Sequence, residues 1–198
     1  DVSTDPDDFI YPRAFGKDAG QTSEYVEAVI SAMNESGMGS VMKHYPGYGS
    51  NADTHTGIAH DTRSLDTFQD SDFIPFVAGM QAGAPSILVN HNIVESMDEE
   101  HPASLSKKVH EILRAEQGFA GVIMTDDLYM DAIKDEYGAG QAAVMAVLAG
   151  NDMLVSSQPE EQLKGVLDAL EDGTIDEEAI DEAVVRVLCW KLSLGLME

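Results

Sequence analysis

Four short runs of β-branched and apolar residues recur along the chain, and segments with helical periodicity separate them. Parallel strands need long crossover connections, usually helices, so this alternation is typical of a sheet built from βα units. The pattern therefore predicts an α/β fold in which four parallel strands alternate with helices. The predicted strands cover residues 40–42, 86–90, 121–125 and 152–156.

The segments between these runs carry helix start and stop signals. The predicted helices cover residues 24–33, 107–117 and 139–148. Ser106 is a suitable N-cap for the second of them, and Gly118 and Gly150 are suitable stops for the second and third. Capping-box patterns at residues 157–160 and 174–177 predict two further helices towards the C-terminus.

Each predicted strand ends in polar residues. The pairs are Lys43-His44, Asn90-His91, Asp126-Asp127 and Ser156-Ser157. Because parallel strands all point the same way, their carboxyl ends meet at one edge of the sheet, which is where α/β proteins bind their ligands. A single polar strand end is more simply a loop cap, but four in succession indicate a functional site.

The charge of the chain excludes several partners. It has 36 acidic and 11 basic residues, which give a formal net charge of -25. Such a charge repels phosphate backbones and anionic lipids, so we expect no nucleic acid partner and no membrane partner. No apolar run approaches the roughly 18 residues of a membrane span.

The single cysteine, Cys189, excludes an intrachain disulfide. It lies in the apolar-rich segment 184–190, and free cysteines are among the most buried residue types. The sequence therefore predicts that Cys189 is a buried structural thiol.

The segment after the first predicted strand, residues 43–55, concentrates chemistry in a turn rich in glycine and proline. An aspartate two residues from a histidine, as in Asp53 and His55, can hold the imidazole in one tautomer and raise its proton affinity. A histidine held in this way is a candidate general acid or base. Pro46, Gly47 and Gly49 also predict a hinge-like loop, in which His55 moves into the site when a substrate binds.

Two other classes of site are weaker interpretations of the same residues. A serine hydrolase is poorly supported, because the chain has no Gly-x-Ser-x-Gly elbow. A metal site could use imidazole and carboxylate ligands, but the spacing matches no compact ligand pattern and Lys43 would place a cation beside the metal. The residues that this alternative would use are His44, Asp53, His55, His60 and Asp61.

Asp126 and Asp127 follow the most apolar predicted strand. Adjacent residues at a strand end point to opposite sides, so one carboxylate can enter a shared pocket while the other braces the loop. One interpretation is an N-cap for the segment 128–131. The other is a carboxylate that acts as a nucleophile, or stabilises positive charge, opposite the histidine.

Several motifs together resemble the glycoside hydrolase family 3 β-N-acetylhexosaminidases of the NagZ type. The resemblance runs in order over nearly the whole chain, which makes it more specific than any one motif. The opening segment is similar to the part of that family that follows the fourth barrel strand. The matching stretches are residues 1–16, 43–47, 53–55, 102–106, 118–130 and 149–154.

This resemblance implies a fold and a set of roles. The fold would be the C-terminal half of a (β/α)8 TIM-type barrel, with residues 1–198 forming a partial catalytic domain that lacks the N-terminal strands. The implied catalytic residues are the nucleophile Asp126, the acid/base His55 and its partner Asp53. Residues that would hold the hydroxyls of the sugar are Arg13, Lys43 and His44. The resemblance implies no cofactor and no metal.

The implied reaction is the removal of terminal β-linked N-acetylglucosamine from peptidoglycan or muropeptide-type substrates, with retention of configuration. Alternatives are a β-glucosidase or a glycoside phosphorylase of the same family, and an inactive fragment that only binds sugar. A neutral histidine acid/base would repel phosphate less than a carboxylate does, whereas the charge of -25 argues mildly against phosphate.

Two departures from the family pattern affect the loop after the first strand. Tyr48 stands where a histidine is common, and the loop between His44 and His55 is one residue shorter than usual. The first four strands of the family barrel also have no counterpart here. A half barrel exposes sheet edges and apolar surface, so we expect either a docked N-terminal half or self-association.

Overall fold

The computed structural model describes residues 1–54 and 57–197, which form a mixed α/β fold. The strands are β1 (Val41–Tyr45), β2 (His60–Asp61), β3 (Ser86–Val89), β4 (Ile93–Val94) and β5 (Val122–Thr125). A parallel sheet in the order β1-β3-β5 lies at the centre of the fold, and β2 and β4 form a separate short parallel pair. Ser86 pairs with Val41 on one side and Val122 on the other.

The fourth predicted strand is present only as a short parallel contact. Met153 forms an isolated parallel bridge with Met124 of β5, and Thr125 N–H donates to the carbonyl of Met153 at 3.2 Å. The order and the parallel direction of the predicted strands are therefore confirmed. The predicted strand over 152–156 is reduced to this bridge.

Helices separate the strands along the sequence, as the periodicity predicts. Short 3-10 turns cover Tyr11–Arg13 and Ala103–Leu105, and π-helical turns cover Phe68–Asp72 and Ile112–Glu116. The α-helices are α1 (Ala19–Glu35), α2 (Leu65–Thr67), α3 (Phe73–Gln81), α4 (Lys107–Glu111), α5 (Asp131–Tyr137), α6 (Ala139–Ala149), α7 (Pro159–Glu171) and α8 (Glu177–Ser193).

Several predicted helix ends are confirmed. The side chain of Ser106 accepts a hydrogen bond from the backbone of Val109 at 3.3 Å and caps α4. Gly150 ends α6 in the left-handed region, with φ +110°. Asp18 caps α1, so this helix begins five residues before the predicted start, at Ala19.

Both predicted capping boxes were wrong, although both helices exist. Ser157 does not cap α7, because its hydroxyl and its amide both donate to Asp127 at the end of β5. In α8 the cap is Asp176, whose carboxylate accepts from the backbone of Glu178 at 3.1 Å. Thr174 lies before this cap and donates its amide to Asp172.

The main core lies on the side of the sheet covered by α1, α3 and α4. Its fully buried members include Ile87 and Val89 of β3 and Ile123 of β5. A second core cluster includes Ala142, Ala143 and Ala146 of α6, whose small side chains let helices pack closely. A Cβ on Gly165 would lie 2.7 Å from the carbonyl oxygen of Gly140, so α6 and α7 meet backbone to backbone.

A buried carboxylate connects the C-terminal helix to the sheet. Asp152 accepts hydrogen bonds from Arg114, from Arg186 of α8 and from the backbone of Ile123. A buried charge is tolerated only when it is paired and hydrogen-bonded, and Asp152 meets this condition from three sides. The network therefore fixes the segment after α6 against β5.

Helix α8 leaves several of its apolar side chains exposed on one side. None of its residues, all of which the structure describes, is buried, and Cys189 is exposed. The prediction of a buried thiol was wrong, because the apolar face of this helix is not covered by the described part of the chain. Val185, Leu188 and Leu192 are also exposed on α8.

No helix in the described ranges is long and apolar enough to cross a bilayer.

Candidate active site

The carboxyl ends of β1, β3 and β5 lie side by side and carry the polar residues predicted for the site. Lys43 and His44 belong to the end of β1, and Asp126 directly follows β5. The N–H of Asp126 donates to the carbonyl of Val89 at 2.9 Å, so the end of β3 fixes the backbone of Asp126. The side chain of Asp126 is partly exposed and can meet a ligand.

His44 is buried between a carboxylate and a guanidinium group. Its Nδ1 lies 2.7 Å from a carboxylate oxygen of Asp1, and its Nε2 lies 3.4 Å from a guanidinium nitrogen of Arg13. A guanidinium can only donate, so Nε2 accepts and the proton lies on Nδ1. His44 therefore donates from Nδ1 to the Asp1 carboxylate.

The surroundings of His44 keep it uncharged. Burial is the main cause that lowers the pKa of His44 to about 3, the positive charges of Lys43 and Arg13 act in the same direction, and Asp126 opposes them. At neutral pH the contact with Asp1 is therefore a hydrogen bond from a neutral imidazole rather than an ion pair. Because all these charges act on one imidazole, Arg13, Lys43 and Asp126 share its environment.

Asp1 anchors the end of β1. Besides the imidazole, its carboxylate accepts from the backbone N–H of His44 at 3.2 Å and from that of Tyr48 at 3.0 Å. No sequence pattern predicted a role for Asp1, because the residues that follow it are typical of a turn. Hydrogen bonds to a carboxylate are strong, so these contacts hold the His44 imidazole in one orientation.

Asp127 braces the strand end, as one of the two adjacent carboxylates was expected to do. It accepts hydrogen bonds from the backbone of Tyr129 at 2.9 Å, from the backbone of Ser157 at 3.0 Å and from the Ser157 hydroxyl. Partial burial raises the pKa of Asp127, but these hydrogen bonds outweigh it and the pKa lies below its usual value. Asp127 is thus occupied by the loop, whereas Asp126 is partly exposed beside it.

A second histidine fixes the same turn from behind. Fully buried His91 has Nε2 at 3.1 Å from the carbonyl oxygen of Asp127 and Nδ1 at 2.7 Å from the Ser104 hydroxyl. A carbonyl can only accept, so His91 donates from Nε2 and the serine hydroxyl donates to Nδ1. The polar ending Asn90-His91 of β3 therefore contributes a structural support for the turn that carries Asp126.

The loop after β1 is packed on a cluster of buried charges. Arg63 donates to Asp61 and Asp72 and to the carbonyl of Gly47. A Cβ on Gly47 would lie 2.1 Å from Asp72, and one on Gly49 would lie 2.5 Å from Arg63. The packing at these two glycines leaves no room for a side chain, and the predicted hinge motion of the loop stays a prediction.

The predicted dyad is only partly within the described residues. Asp53 lies on the loop after β1 and is partly exposed. His55, the predicted acid/base, lies outside the described residues. Between them in sequence, Thr54 is buried and hydrogen-bonded to Tyr48.

The residues of the metal alternative do not form a cluster in the described ranges. Asp61 binds Arg63 and Asn51, and His60 lies on the surface beside Glu95. Within residues 1–54 and 57–197 the one group of metal-ligand type is Asp98, Glu100 and His101, none of which belongs to the metal alternative.

The Glycosyl hydrolase family 3 N terminal domain matches residues 1–189 of the chain. The chain belongs to this family. A β-hexosaminidase from Xanthomonas campestris pv. campestris is 34% identical over 149 residues, which are 75% of this chain and 45% of the relative.

Two solved structures share the fold. A glycoside hydrolase family 3 β-N-acetylglucosaminidase from Paenibacillus superposes with a TM-score of 0.94 at 31% identity, over 99% of this chain and 39% of the other. The β-glucoside phosphorylase BglX superposes with a TM-score of 0.92 at 28% identity, over 99% and 38%. The chain thus spans less than half the length of these family 3 relatives.

The pKa of His44 predicts a specific acid sensitivity. An unfolded histidine titrates near its ordinary pKa of 6.5, whereas folded His44 binds a proton only near pH 3. Between these values the unfolded state binds more protons, so stability falls as the pH falls, by at most about 1.4 kcal/mol per pH unit for one proton. Urea denaturation across this window is expected to show a shallower loss of stability for His44→Gln than for the wild type.

The matched control is His60→Gln, since the His60 side chain is 54% exposed. This variant is expected to keep the wild-type slope. An unchanged slope in His44→Gln would contradict the assignment of a buried, neutral His44.

Proposed function

We propose that this family 3 chain contributes the nucleophile and the sugar-binding residues of a retaining β-N-acetylglucosaminidase. The substrates would carry terminal β-linked N-acetylglucosamine, as peptidoglycan and muropeptide fragments do. The observation that carries this proposal is the convergence of Asp126 with Lys43, His44 and Arg13, in a chain that is 34% identical to a β-hexosaminidase.

Asp126 has the geometry expected of a nucleophile. Its Oδ1 accepts the N–H of Asp127 at 2.9 Å, and Oδ2 accepts no hydrogen bond from the described residues. One oxygen is thus oriented while the other can attack the anomeric carbon. The attack forms a covalent glycosyl ester on Asp126 and breaks the bond to the leaving group.

His55 and Asp53 would supply the proton transfers. Protonated His55 donates to the departing glycosidic oxygen, and neutral His55 then takes a proton from the water that hydrolyses the ester. The Asp53 carboxylate raises the proton affinity of the imidazole and selects its tautomer. Asp53 lies in the described part of the loop after β1 and is two residues before His55 in the sequence, which is consistent with this role.

The remaining residues would hold the sugar. Arg13 and Lys43 are exposed cations that can donate directional hydrogen bonds to hydroxyl oxygens. His44 is neutral, so it does not add positive charge beside an anomeric centre that becomes positive in the transition state. Its neutral state therefore favours the reaction as well as the fold.

A phosphorylase is the second candidate, and one observation favours it. BglX, a β-glucoside phosphorylase by name, shares the fold at 28% identity. The net charge of -25 opposes the approach of phosphate, which favours water as the acceptor. Phosphate in the assay separates the two, because a phosphorylase releases the sugar 1-phosphate and a hydrolase releases the free sugar.

We further propose that the parallel sheet is the C-terminal half of a (β/α)8 barrel. β1 pairs only with β3 in the described residues, which leaves its other edge open. A cavity of about 250 Å³ lies beside this edge, between β1, α1 and α3. Together with the exposed apolar face of α8, these features support the docking of an N-terminal half-barrel or of a second copy.

The half-barrel proposal predicts the behaviour of the isolated chain. Size-exclusion chromatography with light scattering is expected to show self-association, and a chromogenic N-acetylglucosaminide is expected to be hydrolysed only when the other half is supplied. The physical reason is that the open edge and the apolar face must be covered. A monomeric, well-folded chain with full activity by itself would contradict the proposal.

Asp126→Asn tests the nucleophile in the assembled protein. This change keeps the shape of the side chain but removes the charge, so kcat on an N-acetylglucosaminide is expected to fall by about a thousandfold or more. Asp131→Asn is the control, since the Asp131 side chain is 46% exposed on α5. It is expected to leave kcat unchanged.

The same variant separates an enzyme from a sugar-binding fragment. Calorimetric titration with N-acetylglucosamine should show that Asp126→Asn still binds the sugar while it no longer turns over substrate. A wild-type protein that binds the sugar but shows no turnover in its assembled form would instead support the binding fragment.

A further inference from the structure

Tyr48 and Thr54 form a closed pair of hydrogen bonds across the loop after β1. The N–H of Thr54 donates to the Tyr48 hydroxyl oxygen at 3.1 Å, and the hydroxyl lies 3.0 Å from Oγ1 of Thr54. Since the phenolic oxygen accepts the amide, its own proton is available for Oγ1. Both side chains are buried, with 2% of Tyr48 and 1% of Thr54 exposed.

Tyr48 is itself fixed to the sugar-binding end of β1. Its backbone N–H donates to the Asp1 carboxylate that also binds His44, and its ring lies edge-on to the His44 imidazole with centroids 5.6 Å apart. The residue therefore connects the fixed strand end to Thr54 through one rigid ring. Aromatic rings provide such rigid links because they have only two side-chain torsions.

Thr54 stands between Asp53 and His55 in the sequence. The hydrogen bond to its amide restricts the peptide unit that joins Thr54 to Asp53. Each residue that must otherwise be ordered at the moment of reaction costs conformational entropy, so a preformed anchor at this point favours catalysis. The buried ring of Tyr48 can supply that anchor because it occupies the interior of a loop that is short for the family.

We propose that Tyr48 is a positioning residue that sets the Asp53-His55 dyad through Thr54. This inference rests on the proposed function, since it assigns Tyr48 to the proton-transfer part of that reaction. Tyr48 is assigned no direct part in the bond-making steps. Its hydroxyl acts on the dyad through the backbone and the side chain of Thr54.

Tyr48→Phe removes the hydroxyl and keeps the ring. General acid catalysis matters most when the leaving group is a poor one, so the effect is expected to depend on the substrate. In the assembled protein, kcat/KM for an alkyl N-acetylglucosaminide is expected to fall by about tenfold, and that for a dinitrophenyl N-acetylglucosaminide by less than about twofold. Tyr137→Phe is the control, since Tyr137 is a partly exposed tyrosine on α5.

Two further measurements separate positioning from a general loss of structure. Hydrogen exchange of peptides that contain Thr54 is expected to accelerate in Tyr48→Phe, while peptides from β3 keep their wild-type rates. Thr54→Val removes Oγ1, and the double variant Tyr48→Phe/Thr54→Val is expected to be no worse than Tyr48→Phe alone, because both changes break one unit.

The possible results distinguish this inference from the function on which it rests. If the wild type hydrolyses neither glycoside, the proposed function fails. If the wild type hydrolyses both and Tyr48→Phe loses the same factor on each, or if exchange at Thr54 is unchanged, the positioning role of Tyr48 is overturned while the function stands.

Discussion

The parallel direction of β1, β3 and β5 is the constraint on which the site depends. Because the three strands run the same way, their carboxyl ends meet, and residues far apart in sequence become neighbours. The hydrogen bond from the amide of Asp126 to the carbonyl of Val89 fixes this arrangement at its centre. Asp126 at the end of β5 then lies close enough to β1 for its charge to act on His44, as the charge of Lys43 does.

The polar groups behind the strand ends turn this arrangement into a preorganised site. Asp1 holds the imidazole of His44, and His91 with Ser104 holds the carbonyl of Asp127. Each histidine is fixed in one tautomer by partners that can only accept or only donate. Groups held in this way need little reorganisation when charge develops during a reaction, which is the main electrostatic source of catalysis.

The elements that follow from local sequence were predictable. The alternation of strands and helices, the cap at Ser106, the stop at Gly150 and the bracing role of one carboxylate beside Asp126 all depend on residues close in the chain. The features that were wrong or missed depend on tertiary contacts. Ser157 binds Asp127 instead of capping α7, and Asp176 rather than Thr174 caps α8.

Asp1 and Cys189 are two further residues whose surroundings depend on tertiary contacts rather than on local sequence. Nothing near Asp1 in sequence indicates that its carboxylate collects hydrogen bonds from the end of β1. The apolar segment around Cys189 predicts burial, yet burial also needs a covering surface, which the described residues do not provide. The catalytic roles were predicted from the resemblance of long motifs to the family. The positions of Lys43, His44 and Asp126 at the strand ends are consistent with these roles.

The central claim is that Asp126 carries the glycosyl group during turnover, and trapping that group tests it most directly. A 5-fluoro N-acetylglucosaminyl fluoride slows both steps by destabilising the positive transition state, while its good leaving group keeps formation of the ester faster than its hydrolysis. Peptide mass spectrometry of the assembled protein is expected to find one fluorosugar on Asp126. An adduct on Asp127 or another carboxylate, or turnover of substrate by the Asp126→Asn variant, would contradict the account.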